Sequence, residues 1–356
     1  MKKTAALFLT LLLICALLPA LAETQIIRMT CAGDALLGCN EKVRQQDYAF
    51  DRYIEQYGYE YPFAGLMDLF ANDDITLVNL EVVLSDNPDE KASKSRYNFR
   101  GSTDYAKILS SSSVEVVNLA NNHTMDHGQS AFDETIQALD AEGIHYCGST
   151  TGGSYIYIYE KGDIKIGFVG VLPGYWVKSQ ENKDDLISKF DALKEAGCQV
   201  IVASLHCGKE YLAKHDDIHE KYERICMKYG ANIIIGTHPH VPQGINVKDG
   251  VTHIYSLGNS SFGGNTGVDE RLTCIQGYVA TFDLYFEDSV YTGHQMTIWP
   301  IHISGTSPEN NYQPVLVSGE QAEKVMKMIQ KDTKFKLNPY VEGQGAVQDF
   351  VAWPAN

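Results

Sequence analysis

His238-Pro239-His240, set directly after the apolar run Ile233-Ile234-Ile235, is the strongest chemical signal in the chain. Two imidazoles flanking a proline in an extended segment would point the same way. Four more polar positions sit at the ends of strand-like runs: Asp34, Glu81, Asn122-His123 and His206. Carboxylate, imidazole and amide oxygen together suit Zn, Mn or Fe at a hydrolytic centre. One such ion, or two about 4 Å apart, could clamp an anionic substrate and activate a water. Taken singly, each position has a plainer explanation. Gly33-Asp34 and Asn121-Asn122 read equally well as turns, Glu81 as a cap or surface charge, and His206 as a hydrogen-bonded core histidine. Their order and shared placement favour one pocket, because ligands of open α/β sheets bind at the carboxyl ends of the strands.

The elements that must position these groups alternate. Strand-like runs fall at 25–32, 75–80, 114–119, 164–171, 199–205 and 232–235. Helical spacing falls at 62–72, 103–113, 129–142, 182–196 and 216–229. The texture then turns to β at 244–248, 251–257, 276–287 and 290–302, before a last amphipathic helix near 319–331. Alternating strands and helices imply a layered α/β domain. One domain over 23–356 accounts for the pattern, with its core at about 28–303 and a C-terminal helix and tail over 304–356. His127, His145, His215, His219, His253, His294 and His302 lack strand-end settings and read as structural. His215 and His219 lie four apart on a helix without the intervening Glu of H-E-x-x-H, and read as a solvated face.

Lys2 and Lys3, the apolar run 5–18 and Ala20-Leu21-Ala22 have the layout of a secretory signal peptide over 1–22. An uncleaved anchor is the alternative, although the run is short for a span of about 20 apolar residues. A secreted or cell-surface protein is expected either way. The net charge of −16 argues against nucleic acid as a partner, which demands a basic footprint. An anionic substrate would need a local positive site such as a metal. Eight cysteines, one of them in the leader, form no C-x-x-C pair and no ribbon or disulfide-scaffold spacing, and read mostly as small buried hydrophobes. There is no G-x-S-x-G elbow, P-loop or dinucleotide fingerprint. Cys207 beside His206 would face the opposite side of a strand, which argues against a Cys/His nucleophile pair.

Seven ordered strings carry a resemblance: Gly33-Asp34-Ala-Leu-Leu-Gly38, Asn79-Leu80-Glu81, Tyr97-Asn-Phe99-Arg100-Gly101, Leu119-Ala-Asn-Asn122-His123-x-x-Asp126-x-Gly128, His206-x-Gly208-x-Glu210-Tyr211, Gly236-x-His238-Pro239-His240-Val241-x-Gln243 and Tyr255-Ser-Leu257-Gly258-Asn259. Over about residues 28–303 they resemble the CapA family of bacterial poly-γ-glutamate capsule biosynthesis. The resemblance implies a metallophosphoesterase-like layered β-sandwich flanked by helices, with a divalent metal (Mn, Zn or Fe) as one or two ions. It implies Asp34 as the first-strand metal ligand and Glu81 where the wider superfamily has a bridging Asp. It implies Asn122, His206, His238 and His240 as further ligands and His123 as an acid near the substrate. Asp126, Glu210, Tyr211 and Asn259 would orient these groups, with Glu210 and Tyr211 assigned to His206. Arg100 would pair with a substrate carboxylate or phosphate, with Tyr97 beside it and Lys91, Lys94 and Arg96 completing a basic loop.

Three departures stand out. Leu36 occupies the place of the histidine in the superfamily's usual Asp-x-His, and Glu81 is one methylene longer than Asp, so one tight ion with a weaker second is expected. Cys207 lies where the family usually carries Trp, and Ser260 where it usually carries Phe. The function implied is an exported protein in the synthesis, export or processing of an anionic capsule polymer, beside a membrane polymer synthase. Two other readings stay open: a freestanding secreted metal-dependent phosphoester or amide hydrolase, and a metal-stabilised binding protein without catalysis.

Overall fold

The structure, a computed structural model, describes residues 23–87, 97–149, 155–173, 180–262, 273–306 and 309–354. Residues 1–22, read above as a signal peptide, and Lys91, Lys94 and Arg96 lie outside the described residues. The principal strands in chain order are β1 (Thr24–Leu36), β2 (Ile75–Leu80), β3 (Val116–Asn118), β4 (His145–Cys147), β5 (Ile156–Lys161), β6 (Ile164–Val171), β7 (Val200–His206), β8 (Ile233–Thr237), β9 (Ile245–Lys248), β10 (Val251–Ile254), β11 (Asn259–Phe262), β12 (Gln276–Glu287) and β13 (Val290–His302). The principal helices are α1 (Phe50–Tyr57), α2 (Gly128–Ala141), α3 (Gln180–Glu195), α4 (Asp217–Tyr229) and α5 (Gly319–Gln330).

Two sheets result. The first runs β13-β12-β1-β2-β3-β4, with β1 to β4 parallel and β12 antiparallel to β1. The second runs β9-β10-β8-β7-β6-β5, with β6, β7, β8 and β10 parallel. Strand side chains alternate between faces, and here both faces are apolar. Ile75, Leu77, Val116, Val200, Val202, Ile233 and Ile235 meet in one core shared by the two sheets. Val78, Leu80 and Val117 turn outward onto Phe50 of α1 and Phe132 and Leu139 of α2. Ile201, Ala203, Leu205 and Ile234 turn outward onto Phe190 of α3 and Cys226 of α4. The result is a helix–sheet–sheet–helix sandwich, the layered α/β fold that the alternation of elements implied.

Strand β1 does not stop at Ala32 as the pattern suggested; it runs on to Leu36 through an irregularity between Ala32 and Asp34. Met29 and Cys31 face the inter-sheet core, and Ala32 faces the outer layer. Strict alternation would put Asp34 on the outer face with Ala32. The extra residue reverses the register, so Asp34 turns inward and Ala35 outward. Gly33 makes this possible: a Cβ there would lie 1.9 Å from the Gly258 carbonyl oxygen, the same oxygen that accepts the Asp34 N–H at 3.0 Å. Gly33→Ala is expected to destabilise the fold by about 1–3 kcal/mol, the usual range for overpacking. Urea unfolding checks this, and an unchanged midpoint would show that β1 can shift.

Several expectations give way. The helix expected at 62–72 is a 3-10 turn (Ala64–Leu66) and a four-residue helix (Met67–Phe70), and Gly65 sits so close to Pro314 that a Cβ there would lie 2.3 Å from its carbonyl oxygen. The helix expected at 103–113 is a 3-10 turn and Ala106–Ser110, ended where Ser111 bonds back to Lys107 O. Helix α1 and strands β4, β5 and β11 have no counterpart among the expected elements. His215 and His219 are not a solvated face. His219 is fully buried and bonds Asp216 in the cap of α4, and His215 stacks 3.7 Å from Tyr255 and pairs with Asp332 at 2.9 Å. The seven cysteines among the described residues are all free, and five are buried.

Candidate metal centre

The parallel strands of both sheets bring their carboxyl ends to one side, and the polar groups gather there. Asp34 sits inside β1, Glu81 one residue past β2, and Asn122 and His123 in the loop between β3 and α2. His206 ends β7, and His238 and His240 follow β8. Alternation explains most of this. Ile75, Leu77, Asn79 and Glu81 share the inner face of β2; Val200, Val202 and His206 share that of β7.

Asp34 is wholly buried. Its Oδ1 accepts from Asn79 Nδ2 at 2.7 Å and its Oδ2 from the His238 backbone N–H at 3.1 Å. His240 Nδ1 lies 3.3 Å from Oδ2 and His206 Nδ1 3.7 Å from Oδ1. Burial alone would raise this carboxyl, but the hydrogen bond and charge of His240 and the charge of His206 bring it down to about 2.

Glu81 is the opposite case. It too is wholly buried, yet neither oxygen accepts a hydrogen bond from any described residue. Its Oε1 is ringed by His206 Nε2 and His240 Nε2 at 3.8 Å and His123 Nε2 at 3.9 Å. Burial, then the Asp34 charge, holds its carboxyl well above the ordinary range. His238 Nδ1 is likewise buried without a partner. Donor atoms of Glu81, His238 and His240 lie within 4.8 Å of one another. Orphaned buried donors of this kind, converging from carboxylate and imidazole, fit a divalent cation.

The two histidines of His238-Pro239-His240 reach this point differently from the extended segment expected. Both have left-handed backbone, φ +96° at His238 and +58° at His240. Such conformations cost about 1–3 kcal/mol each for ordinary residues and persist where the surroundings impose them. Here Asp34 takes the His238 N–H, and the Pro239 carbonyl accepts the Tyr211 N–H at 2.8 Å. Asn259 Oδ1 meets His240 Nδ1 at 2.9 Å. Burial opposes charge on His240, but Glu81 and Asp34 raise it to about 10; burial lowers His238 to about 4.

His123 Nδ1 lies 2.7 Å from Asp126 Oδ2, which also accepts the Phe99 N–H at 2.7 Å. That pair aims Nε2 at Glu81. His206 is oriented by Thr237 Oγ1 at 2.9 Å, Asn79 Nδ2 at 3.2 Å and Asn122 Oδ1 at 2.7 Å. Glu210 and Tyr211 do not serve it: Glu210 is exposed, and the Tyr211 ring packs 5.8 Å from that of His240. The reason is the turn at Gly208 (φ +104°), which carries the chain away from His206. Asn79, Asn118 and Thr237 carry no role in the sequence reading, although inward alternation from Leu77, Val116 and Ile235 marks them.

Arg100 is not available to a substrate in the way expected. Its guanidinium, 11% exposed, pairs with Glu41 and donates to the Ser85 carbonyl. Tyr97 is 55% exposed and lies outside Phe99, whose ring sits 4.4 Å from that of His123. Phe262 packs 5.1 Å from His240, so aromatic rings wall the centre on two sides. A cavity of about 240 Å³ opens beside His206 and His238, lined by Leu172, Pro173, Cys207 and Ile218 with Lys209 at its edge. Cys207 packs in the outer layer with Leu205 and Cys226, away from the acid–imidazole cluster. Ser260 instead bonds the Gly33 and Asp34 carbonyls and braces the β1 irregularity.

Two curated relatives are similar. The capsule biosynthesis protein CapA of Bacillus anthracis is 26% identical over 67% of this chain and 61% of its own length. The PGA biosynthesis protein CapA of Bacillus subtilis is 27% identical over 81% of this chain and 77% of its own. The chain thus spans about three-fifths of the B. anthracis relative. A solved structure described as a novel phosphatase from Mycoplasma pneumoniae aligns at 12% identity over 78% of this chain and 95% of that one, with a TM-score of 0.42. A family model, bacterial capsule synthesis protein PGA_cap, matches residues 28–263, two-thirds of the chain. The chain belongs to that family of bacterial capsule synthesis proteins.

Proposed function

We propose that this chain is an exported, metal-dependent hydrolase that processes an anionic capsule polymer such as poly-γ-glutamate beside a membrane polymer synthase. The observation that carries the reading is Glu81: a buried carboxylate with both oxygens unbonded and three imidazole nitrogens at 3.8–3.9 Å. Family membership supports the capsule setting, and the acidic chain speaks against nucleic acid as partner. No described helix is long and apolar enough to cross a membrane, and export rests on the 1–22 sequence.

Glu81, His238 and His240 would hold the metal, with Asp34 fixing His240 and Asn122 and His206 beside them. A divalent ion supplies Lewis acidity toward a phosphoryl or carbonyl oxygen and a nucleophile at neutral pH. The chain's own residues do the rest. Asp126 holds the His123 ring so that Nε2 can pass a proton to the leaving group. Phe99 and Phe262 exclude water from two sides, which strengthens the electrostatics within. The cavity beside His206 and His238 takes the substrate portion next to the scissile bond, with Lys209 at its edge for an anionic group.

Metal analysis by mass spectrometry, on protein purified without chelator, tests the reading. Near-stoichiometric Mn, Zn or Fe is expected, and its loss in His238→Ala and His240→Ala. A chain that takes up no metal even on reconstitution would be a binding scaffold instead. The His123–Asp126 pair also favours a second reading, a freestanding secreted hydrolase of phosphoesters or amides. Turnover of simple phosphoesters but not of γ-glutamyl polymers would select it.

A further inference from the structure

Three asparagines at neighbouring strand ends are joined in a fixed direction. The Ala120 N–H donates to Asn118 Oδ1 at 3.1 Å, so the Asn118 amide nitrogen faces Asn79 Oδ1 at 2.9 Å. Asn121 Nδ2 donates to the Leu80 carbonyl at 2.8 Å, and its Oδ1 accepts the His123 N–H at 3.1 Å. The Asn121 nitrogen therefore also faces Asn79 Oδ1, at 3.3 Å. Backbone N–H and C=O groups cannot exchange donor and acceptor roles, so they orient every amide in the chain. Asn79 Oδ1 takes two donors, and Asn79 Nδ2 must be the end that faces Asp34 Oδ1 and His206 Nδ1.

An N–H directed at His206 Nδ1 requires a lone pair there. The proton of the neutral ring then sits on Nε2, which lies 2.7 Å from Asn122 Oδ1. The Thr237 hydroxyl, 2.9 Å from Nδ1, can rotate to donate to the same lone pair or to accept from it.

We propose that Asn79 is a positioning residue of this centre: it holds Asp34 in place and fixes His206 as the Nε2–H tautomer, so His206 can ligate through Nε2 only after its proton moves to Nδ1. The inference rests on reading the centre as a metal site. The proton leaves Nε2 and one returns to Nδ1, so the ring's charge is unchanged. Thr237 Oγ1 accepts the new N–H, and the Asn79 N–H gives up its bond to the ring. Glu81 and His238 need no such exchange, since their buried donor atoms are already unpartnered.

The test is nitrogen-15 NMR of the histidine-labelled chain after chelation, with the His206 signals assigned by His206→Gln. Near neutral pH the wild type is expected to show Nε2 protonated and Nδ1 not, and Asn79→Ala to lose or reverse that preference. Metal titration of Asn79→Ala, which loses the hydrogen bond that holds Asp34, is expected to show binding weakened about 10–100-fold, the usual effect of removing an outer partner. A wild-type His206 protonated on Nδ1, or an Asn79→Ala chain that keeps the wild-type tautomer, overturns the proposal. The wild-type spectrum decides by itself if the variant fails to fold. It is read without metal, so a chain that binds no ion would sink the metal reading and leave the tautomer assignment separately tested.

Discussion

Glu81→Gln is expected to strip the protein of its metal and, at the same time, to make the metal-free chain more stable at neutral pH. The first effect follows from losing the one carboxylate that faces His123, His206 and His240 together. Outer partners of a metal are typically worth 10–100-fold in affinity, so removing a ligand should weaken binding by more than about 100-fold. The second follows from burial. Burial and the Asp34 charge hold the Glu81 carboxyl well above its ordinary 4.5. A group raised on folding contributes its full stability below its unfolded pKa and loses it as pH rises toward the folded value. The advantage of Gln should therefore be small near pH 4 and grow through neutrality, to about 1–3 kcal/mol, the penalty of an unsatisfied buried polar group. His240 keeps Asp34 and Asn259 in the variant, so its ring stays placed. Urea unfolding of chelated protein at pH 4 and pH 7 measures the difference. A variant less stable than wild type at both values would mean that Glu81 organises the imidazoles rather than waiting for a cation.

Much of this centre was legible because strands impose a two-residue period. Leu77 inward predicts Asn79 and Glu81 inward; Val202 inward predicts His206 inward; Ile235 inward predicts Thr237 inward. The same rule sends Cys207 outward, as the hydrophobic cluster of the outer layer shows. Asp34 was placed at the centre for an incomplete reason. Counting from Met29 and Cys31 would put it on the wrong face, and only the irregularity at Gly33 corrects the register. That irregularity depends on how closely Gly258 approaches, a contact 225 residues away in sequence that no local pattern reveals.

Other features were hidden for the same reason. The left-handed backbone at His238 and His240 is held by Asp34 and by Tyr211, from two different strand ends. Arg100 looked like a substrate-binding guanidinium because charge alone was visible. Its engagement with Glu41 and the Ser85 carbonyl depends on a small side sheet that pairs Cys39-Asn40 with Phe99-Arg100. His215 and His219 looked solvated on a helical wheel, but they lie against Asp332 and Tyr255, which arrive from other parts of the chain.

His123→Ala is expected to reduce turnover about 10²–10⁴-fold, the usual contribution of a positioned proton donor, while leaving metal content unchanged. The size should depend on the leaving group. An ester whose leaving group departs readily as an anion needs little protonation, so its loss should be small; an alkyl ester or amide needs it fully. Asp126→Asn should fall between wild type and His123→Ala, because it keeps an oxygen for the Phe99 N–H but cannot stabilise a charged His123. Kinetics on paired substrates with good and poor leaving groups, alongside metal analysis, separate the alternatives. A His123→Ala chain that loses metal would make His123 a ligand, which its Nε2 at 3.9 Å from Glu81 leaves geometrically open. Equal losses on both substrates would place His123 in substrate binding rather than proton transfer. Only the unequal pattern, with metal retained, assigns it the acid, because an acid is the one role whose value scales with the proton demand of the departing group.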